Sequence, residues 1–279
     1  MSRSRHGARC WSLAVAVSLV LAGCTGTTED HWADEFDGPA GSSADPSVWT
    51  NDVGNDQFDG WGNNELQWYT AGPANAALDG EGNLVITARD GTPAGPCHTV
   101  PLCPYTSARL TTRHRMEVES GRVEVRAKLP TDVGLLPAIW LLGPGEWPEG
   151  GEIDIAEVVG GEPTTIYGSA HGPGYSDDEG PSASTELAGD AADDFHVYAV
   201  NKRPDRVTWS VDGAEYASLR RTDIPADKRW VLDRPMAVVL NLAVGGTWPG
   251  DPDDSTSFPA RMQVDYVRVA GDIKQPVDH

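Results

Sequence analysis

Short apolar or alternating runs, separated by turn-forming residues, recur along most of this chain. Arg122-Val123-Glu124-Val125-Arg126-Ala127-Lys128 alternates strictly, as a strand with one wet face does. Leu84–Ala88, Phe195–Val200, Arg206–Val211, Pro235–Ala243 and Met262–Val269 read as further strands. No stretch carries a long apolar stripe at helical spacing. Many short strands, divided by turns rich in the chain's 31 Gly and 21 Pro, predict an all-β protein built as a two-sheet β-sandwich.

One of these runs carries chemistry. In Trp147–Gly160, WPEGGEIDIAEVVG, three carboxylates are set among β-favouring aliphatics. Alternation along a strand sends Glu152 and Asp154 to one face and Ile153 and Ile155 to the other. A helix would separate Glu152 from Asp154 by about 200°. Glu157 falls on the wrong face of a regular strand, and one extra residue bulging near Ala156 returns it to the carboxylate face. Crowded carboxylates raise one another's pKa, so that one stays protonated while another ionises. Glycoside hydrolysis uses that division between a nucleophile and a general acid. A solvated acidic face or a calcium site is the alternative for an acidic cluster taken alone.

The flanking sequence adds a resemblance. E-x-D-x-x-E is the bulged signature of glycoside hydrolase family 16. WGNNELQWYT (61–70), GRVEVRAKLP (121–130), PAIWLLG (137–143), AHGPGYS (170–176), NLAVGGTWPG (241–250) and RMQVDYVRV (261–269) follow in family order. Several resemble the laminarinase-like branch, which cuts β-1,3-glucans. The resemblance covers most of 31–270 and implies a jelly-roll sandwich whose curved sheet forms a concave substrate cleft. It implies Glu152 as nucleophile, Glu157 as acid/base and Asp154 as the carboxylate that orients the nucleophile. It needs no cofactor for catalysis. It also implies substrate roles for Asn64 and Glu65 at the glycone side of the cleft, and for His171, which it places beside the acid/base. Trp147, with Gly-rich flanks, is read as a sugar platform and Trp248 as a loop-borne aromatic stacking a distal sugar. Glu35, in Asp34-Glu35-Phe36-Asp37-Gly38, and Asp265 resemble a structural calcium site of some members; an exposed acidic turn is the plain alternative.

The chain departs from the laminarinase pattern in three places. Leu136 and Lys202 stand where relatives commonly carry Trp, and Asp177-Asp178-Glu179 is unusually acidic. Leu136 and the acidic run bear on the cleft rim, so mixed-linkage β-glucan or a galactan stays open as substrate. A non-hydrolytic β-glucan-binding protein and a transglycosylase also stay open.

The N-terminus sets location. Arg3, Arg5 and Arg9 precede an apolar run over 11–22 and the sequence Leu21-Ala22-Gly23-Cys24. The run is too short to span a bilayer and reads as an export signal over 1–24. Its ending resembles a lipobox with Cys24 as the lipidated residue; ordinary cleavage is the alternative. Residues 25–30 form a polar tether, 31–270 the catalytic domain and 271–279 a tail. A cell-surface lipoprotein, monomeric and touching the membrane only through its lipid, is the expectation. The net charge of −21 disfavours nucleic acid and suits a neutral polysaccharide. Cys97 and Cys103 read as a disulfide in an exported protein.

Overall fold

The computed structural model describes residues 32–55, 59–91 and 94–275. Cys24, the export signal and the tether lie outside the described residues. The described chain is almost entirely strand, and its helical turns span no more than five residues each. Of the predicted strands, Leu84–Ala88 and Arg206–Val211 appear with the same bounds. Others run longer: Glu117–Lys128 starts before the alternating segment, and Ala260–Lys274 carries the last strand four residues past the expected boundary at 270.

Strand pairing organises the chain into two layers. One runs in the order Ser182–Glu186, Thr165–His171, Glu152–Glu157, Leu135–Leu142, Met236–Val244, Arg109–Thr111 and Thr50–Asp52, every pair antiparallel. The other runs Ala214–Arg220, Arg206–Val211, His196–Arg203, Glu117–Lys128 and Ala260–Lys274, with Trp32–Asp34 and Leu84–Ala88 also paired to the last strand. The layers join where Met236 and Ala237 pair with Val118 and Glu117. One apolar cluster fills the space between them. Ile139, Leu141, Ile153, Ile155 and Leu240 enter from the first layer, and Val123, Val125, Val200, Val207 and Trp209 from the second. Alternation places these residues inward and leaves the opposite face of the first layer to line a cleft.

Lys202 departs from this logic. It lies fully buried on the His196–Arg203 strand, its ammonium donating to the Glu119 carbonyl. Burial pushes its pKa down to about 8, against the pull of Asp233 and Glu119. The unfolded amine titrates near 10.5. Between these values the unfolded chain therefore binds more protons, so this residue's contribution to stability rises with pH across that window. Its full penalty, roughly 3 kcal/mol, applies below about pH 8. Lys202→Met is expected to raise Tm by a few degrees at pH 7, with the gain shrinking toward pH 10. A Tm equal to or below that of the parent at pH 7 would contradict this reading.

Candidate active site

The acidic strand is bulged, as the spacing of its carboxylates predicts. Against Leu135–Leu142, Asp154 faces Trp140 and Ala156 faces Ile139, leaving Ile155 as the extra residue. Against Thr165–His171, Asp154 faces Ser169 while Glu157 already faces Tyr167, so Gly168 stands opposite two residues. The irregularity keeps Ile155 and Ala156 both in the core and restores Glu157 to the face of Glu152 and Asp154.

The three carboxylates sense one another. Asp154 is only 4 % exposed, and burial raises it to about 7. Burial and the charge of Asp154 raise Glu152 to about 8. Three groups pull the other way on Glu152: His171, Arg109 and a hydrogen bond from the Trp147 side chain. Glu157 is raised well above the ordinary carboxylate range by burial and by repulsion from Asp154, Glu152 and Glu65, with His171 alone among its main influences opposing. The charges around Glu157 thus favour its protonated form, whereas His171, Arg109 and Trp147 favour the ionised form of Glu152.

His171 stands opposite Glu152 in the register. Its Nε2 lies 3.1 Å from Asp154 and 3.9 Å from Glu152. The resemblance sets this residue beside the acid/base; here it flanks the Glu152 end of the strand, because the strand pairing puts Tyr167, not His171, across from Glu157. Trp147 is exposed and also packs near His171, with ring centroids 6.2 Å apart. It is thus both an accessible aromatic face and a hydrogen-bond partner of Glu152. At the other end Trp248, equally exposed, meets Tyr167 edge-on at 5.1 Å.

Asn64 and Glu65 part company. Asn64 is exposed in a left-handed turn and donates to the Thr247 hydroxyl at 3.0 Å, tying the 60–64 turn to the loop that carries Trp248. Glu65 is buried, with one carboxylate oxygen accepting from Gln67 and from Tyr69. These bonds tie that oxygen into the cleft floor. Burial raises Glu65 to about 7. The network continues from the Tyr69 hydroxyl, which accepts from Asn241, to the Asn241 carbonyl oxygen, which accepts from the Trp140 indole at 2.7 Å.

Arg109 is a cleft residue that the sequence reading missed. Its guanidinium lies 4.6 Å from the centre of the Trp61 ring and 4.7 Å from that of Trp140, and it pairs with Asp52 at 3.0 Å. No local pattern marks it, because the two rings and the carboxylate come from separate segments. Its positive charge favours ionised Glu152. Arg109→Met is therefore expected to raise the pKa of Glu152 and move the acidic limb of kcat/KM to higher pH, with Arg109→Lys moving it less. A limb that stays in place in both variants would contradict the coupling.

The calcium reading does not fit these side chains. Glu35 accepts two bonds from Arg268, at 2.8 and 2.9 Å, and Asp265, at a register shift of its strand, pairs with Arg126. Each carboxylate is already neutralised by an arginine that a cation would have to displace. Among the described residues, the one group of three His, Cys, Asp or Glu side chains gathered closely enough to hold a metal ion is Glu152, Asp154 and His171. Cys97 and Cys103 form a disulfide in the loop beside Glu65 and Leu66.

A bulged strand bearing three coupled carboxylates, walled by exposed tryptophans, has counterparts among known proteins. The family model for glycosyl hydrolases family 16 matches residues 62–268. A beta-glucanase of Rhodothermus marinus is 40 % identical over 272 residues, covering 90 % of this chain and 91 % of its own. Among solved structures, the laminarinase catalytic domain of Thermotoga maritima MSB8 superposes with a TM-score of 0.80 at 40 % identity, over 86 % of this chain and 97 % of that one. The endo-beta-1,3-glucanase of Pyrococcus furiosus gives a TM-score of 0.80 at 41 % identity, over 90 % and 95 %. The chain belongs to glycosyl hydrolase family 16 and is a glycoside hydrolase.

Proposed function

We propose that the protein is a retaining endo-β-1,3-glucanase. The observation that carries the mechanism is the bulge, which sets Glu152, Asp154 and Glu157 on one face with the proton favoured on Glu157. The substrate class rests on the relatives, named as laminarinase and endo-beta-1,3-glucanase. Glu152 attacks the anomeric carbon as its bond to the leaving oxygen breaks, and that oxygen takes the proton of Glu157. A glycosyl ester on Glu152 results. Glu157, now a carboxylate, draws a proton from water, whose oxygen attacks the same carbon and frees Glu152. Two inversions give net retention.

Each neighbour has a part in this reading. Asp154 acts on Glu152 through His171, whose ring lies near both carboxylates, and the Trp147 hydrogen bond and the Arg109 charge favour ionised Glu152. Trp147 and Trp248 supply exposed faces for sugar rings. No cofactor takes part. The protein is exported, held at the membrane by a lipid on Cys24, and acts as a single chain.

The test is product release from laminarin, lichenan and agarose by the protein beginning after Cys24. Cleavage of laminarin ahead of the others is expected. Preference for lichenan or agarose would keep the site and discard the β-1,3 assignment. Binding of laminarin without cleavage of any polymer would overturn hydrolysis.

A further inference from the structure

The bulge is a weak point in the ladder. An extra residue leaves backbone groups out of step with the neighbouring strands, and a buried carbonyl without a donor is costly. At this bulge the donor comes from the other layer. Trp209, on Arg206–Val211, is almost fully buried, and its indole N–H donates to the Asp154 carbonyl at 2.7 Å. Gly168, the residue opposite the two bulged positions, makes room for it. A Cβ at 168 would lie 2.6 Å from Cδ1 of Trp209, 3.0 Å from its Nε1 and 2.4 Å from the Tyr216 hydroxyl. Two residues on the acidic strand, a glycine on its neighbour and an indole from the opposite sheet thus interlock at one point.

We infer that Trp209 is a positioning residue, pinning the bulge and thereby the placement of Glu157 relative to Glu152 and Asp154. Touching no substrate, it acts through the backbone of Asp154. For its effect on turnover the inference rests on the hydrolytic reading above. The pin itself is a property of the free protein. Losing the N–H frees the Asp154 carbonyl and lets Ile155 and Ala156 relax toward a regular register, in which Glu157 turns away from the cleft.

The test compares the parent with Trp209→Phe and with a variant carrying 3-benzothienylalanine at 209, which keeps the bicyclic shape and lacks the N–H. For the benzothienyl protein kcat on laminarin is expected to fall about tenfold with KM within about twofold, the size of one lost buried hydrogen bond felt in the transition state. Amide hydrogen exchange over 155–158 in the free protein should accelerate. A purely structural role would lower Tm and leave kcat of the folded protein unchanged; that result, or parent-like exchange over the bulge, overturns the inference. If the parent itself fails to cleave laminarin, the glucan reading fails, and exchange in the same free proteins still decides whether the indole pins the bulge.

Discussion

Glu152→Gln is expected to lower kcat on laminarin by on the order of 10⁴-fold or more, the scale on which loss of a nucleophile is felt. Glutamine keeps the shape and the capacity to accept the Trp147 hydrogen bond but cannot form the glycosyl ester. The fold should not suffer. Glu152 and Asp154 repel each other in a buried setting, and each is held above the ordinary carboxylate range. Removing one of the two charges relieves that repulsion, so Tm should stay level or rise. Loss of activity together with a lowered Tm would assign Glu152 a structural role; activity near that of the parent would remove it from the nucleophile position.

The second large effect separates the two steps of the reaction. Glu157→Gln removes both the proton donor and the base, and kcat on laminarin should fall by about 10²- to 10⁴-fold. An aryl β-glucoside with a good leaving group needs no proton in the first step, so it should still load the enzyme. Azide needs no base to attack the glycosyl ester, so added azide should restore turnover and yield a β-glycosyl azide. The pH profile adds a signed prediction. Burial and the charges of Asp154 and Glu152 raise Glu157, so its active protonated form persists to higher pH than an ordinary carboxylic acid would and is lost as pH rises through its raised pKa. The alkaline limb of the parent should therefore vanish in Glu157→Gln. Failure of azide to restore activity, with the limb retained, would place the acid/base elsewhere.

The catalytic strand was legible because its signal is local. A spacing of two residues, then three, among aliphatics fits one face of a strand only if a residue bulges, and the register breaks at Ile155, next to the expected Ala156. The strands of the sandwich were legible for the same reason, since alternation and turns are short-range. What failed depended on partners distant in sequence. Glu35 and Asp265 looked like free oxygen ligands until pairing brought Arg268 and Arg126 against them. Arg109 gained its place only when Trp61, Trp140 and Asp52 converged on it. Glu65 is a different case, because its signal was present. Glu65, Gln67 and Tyr69 alternate with Leu66 and Trp68, and all three of the first set are buried. Read by period, they form an inward polar stripe in which Gln67 and Tyr69 donate to Glu65. Trp209 was legible as an apolar strand residue; its bond to Asp154 links strands 55 residues apart in sequence.

The most direct test of the account is the anomeric configuration of the first product. Proton NMR of laminarin hydrolysis, followed from mixing, reports the new reducing end before mutarotation scrambles it. Two displacements at one carbon, with Glu152 as nucleophile and Glu157 as acid and then base, predict that the β-anomer appears first and the α-anomer grows in later. The α-anomer appearing first would mean a single displacement by water, and would contradict the covalent role of Glu152 on which the account rests.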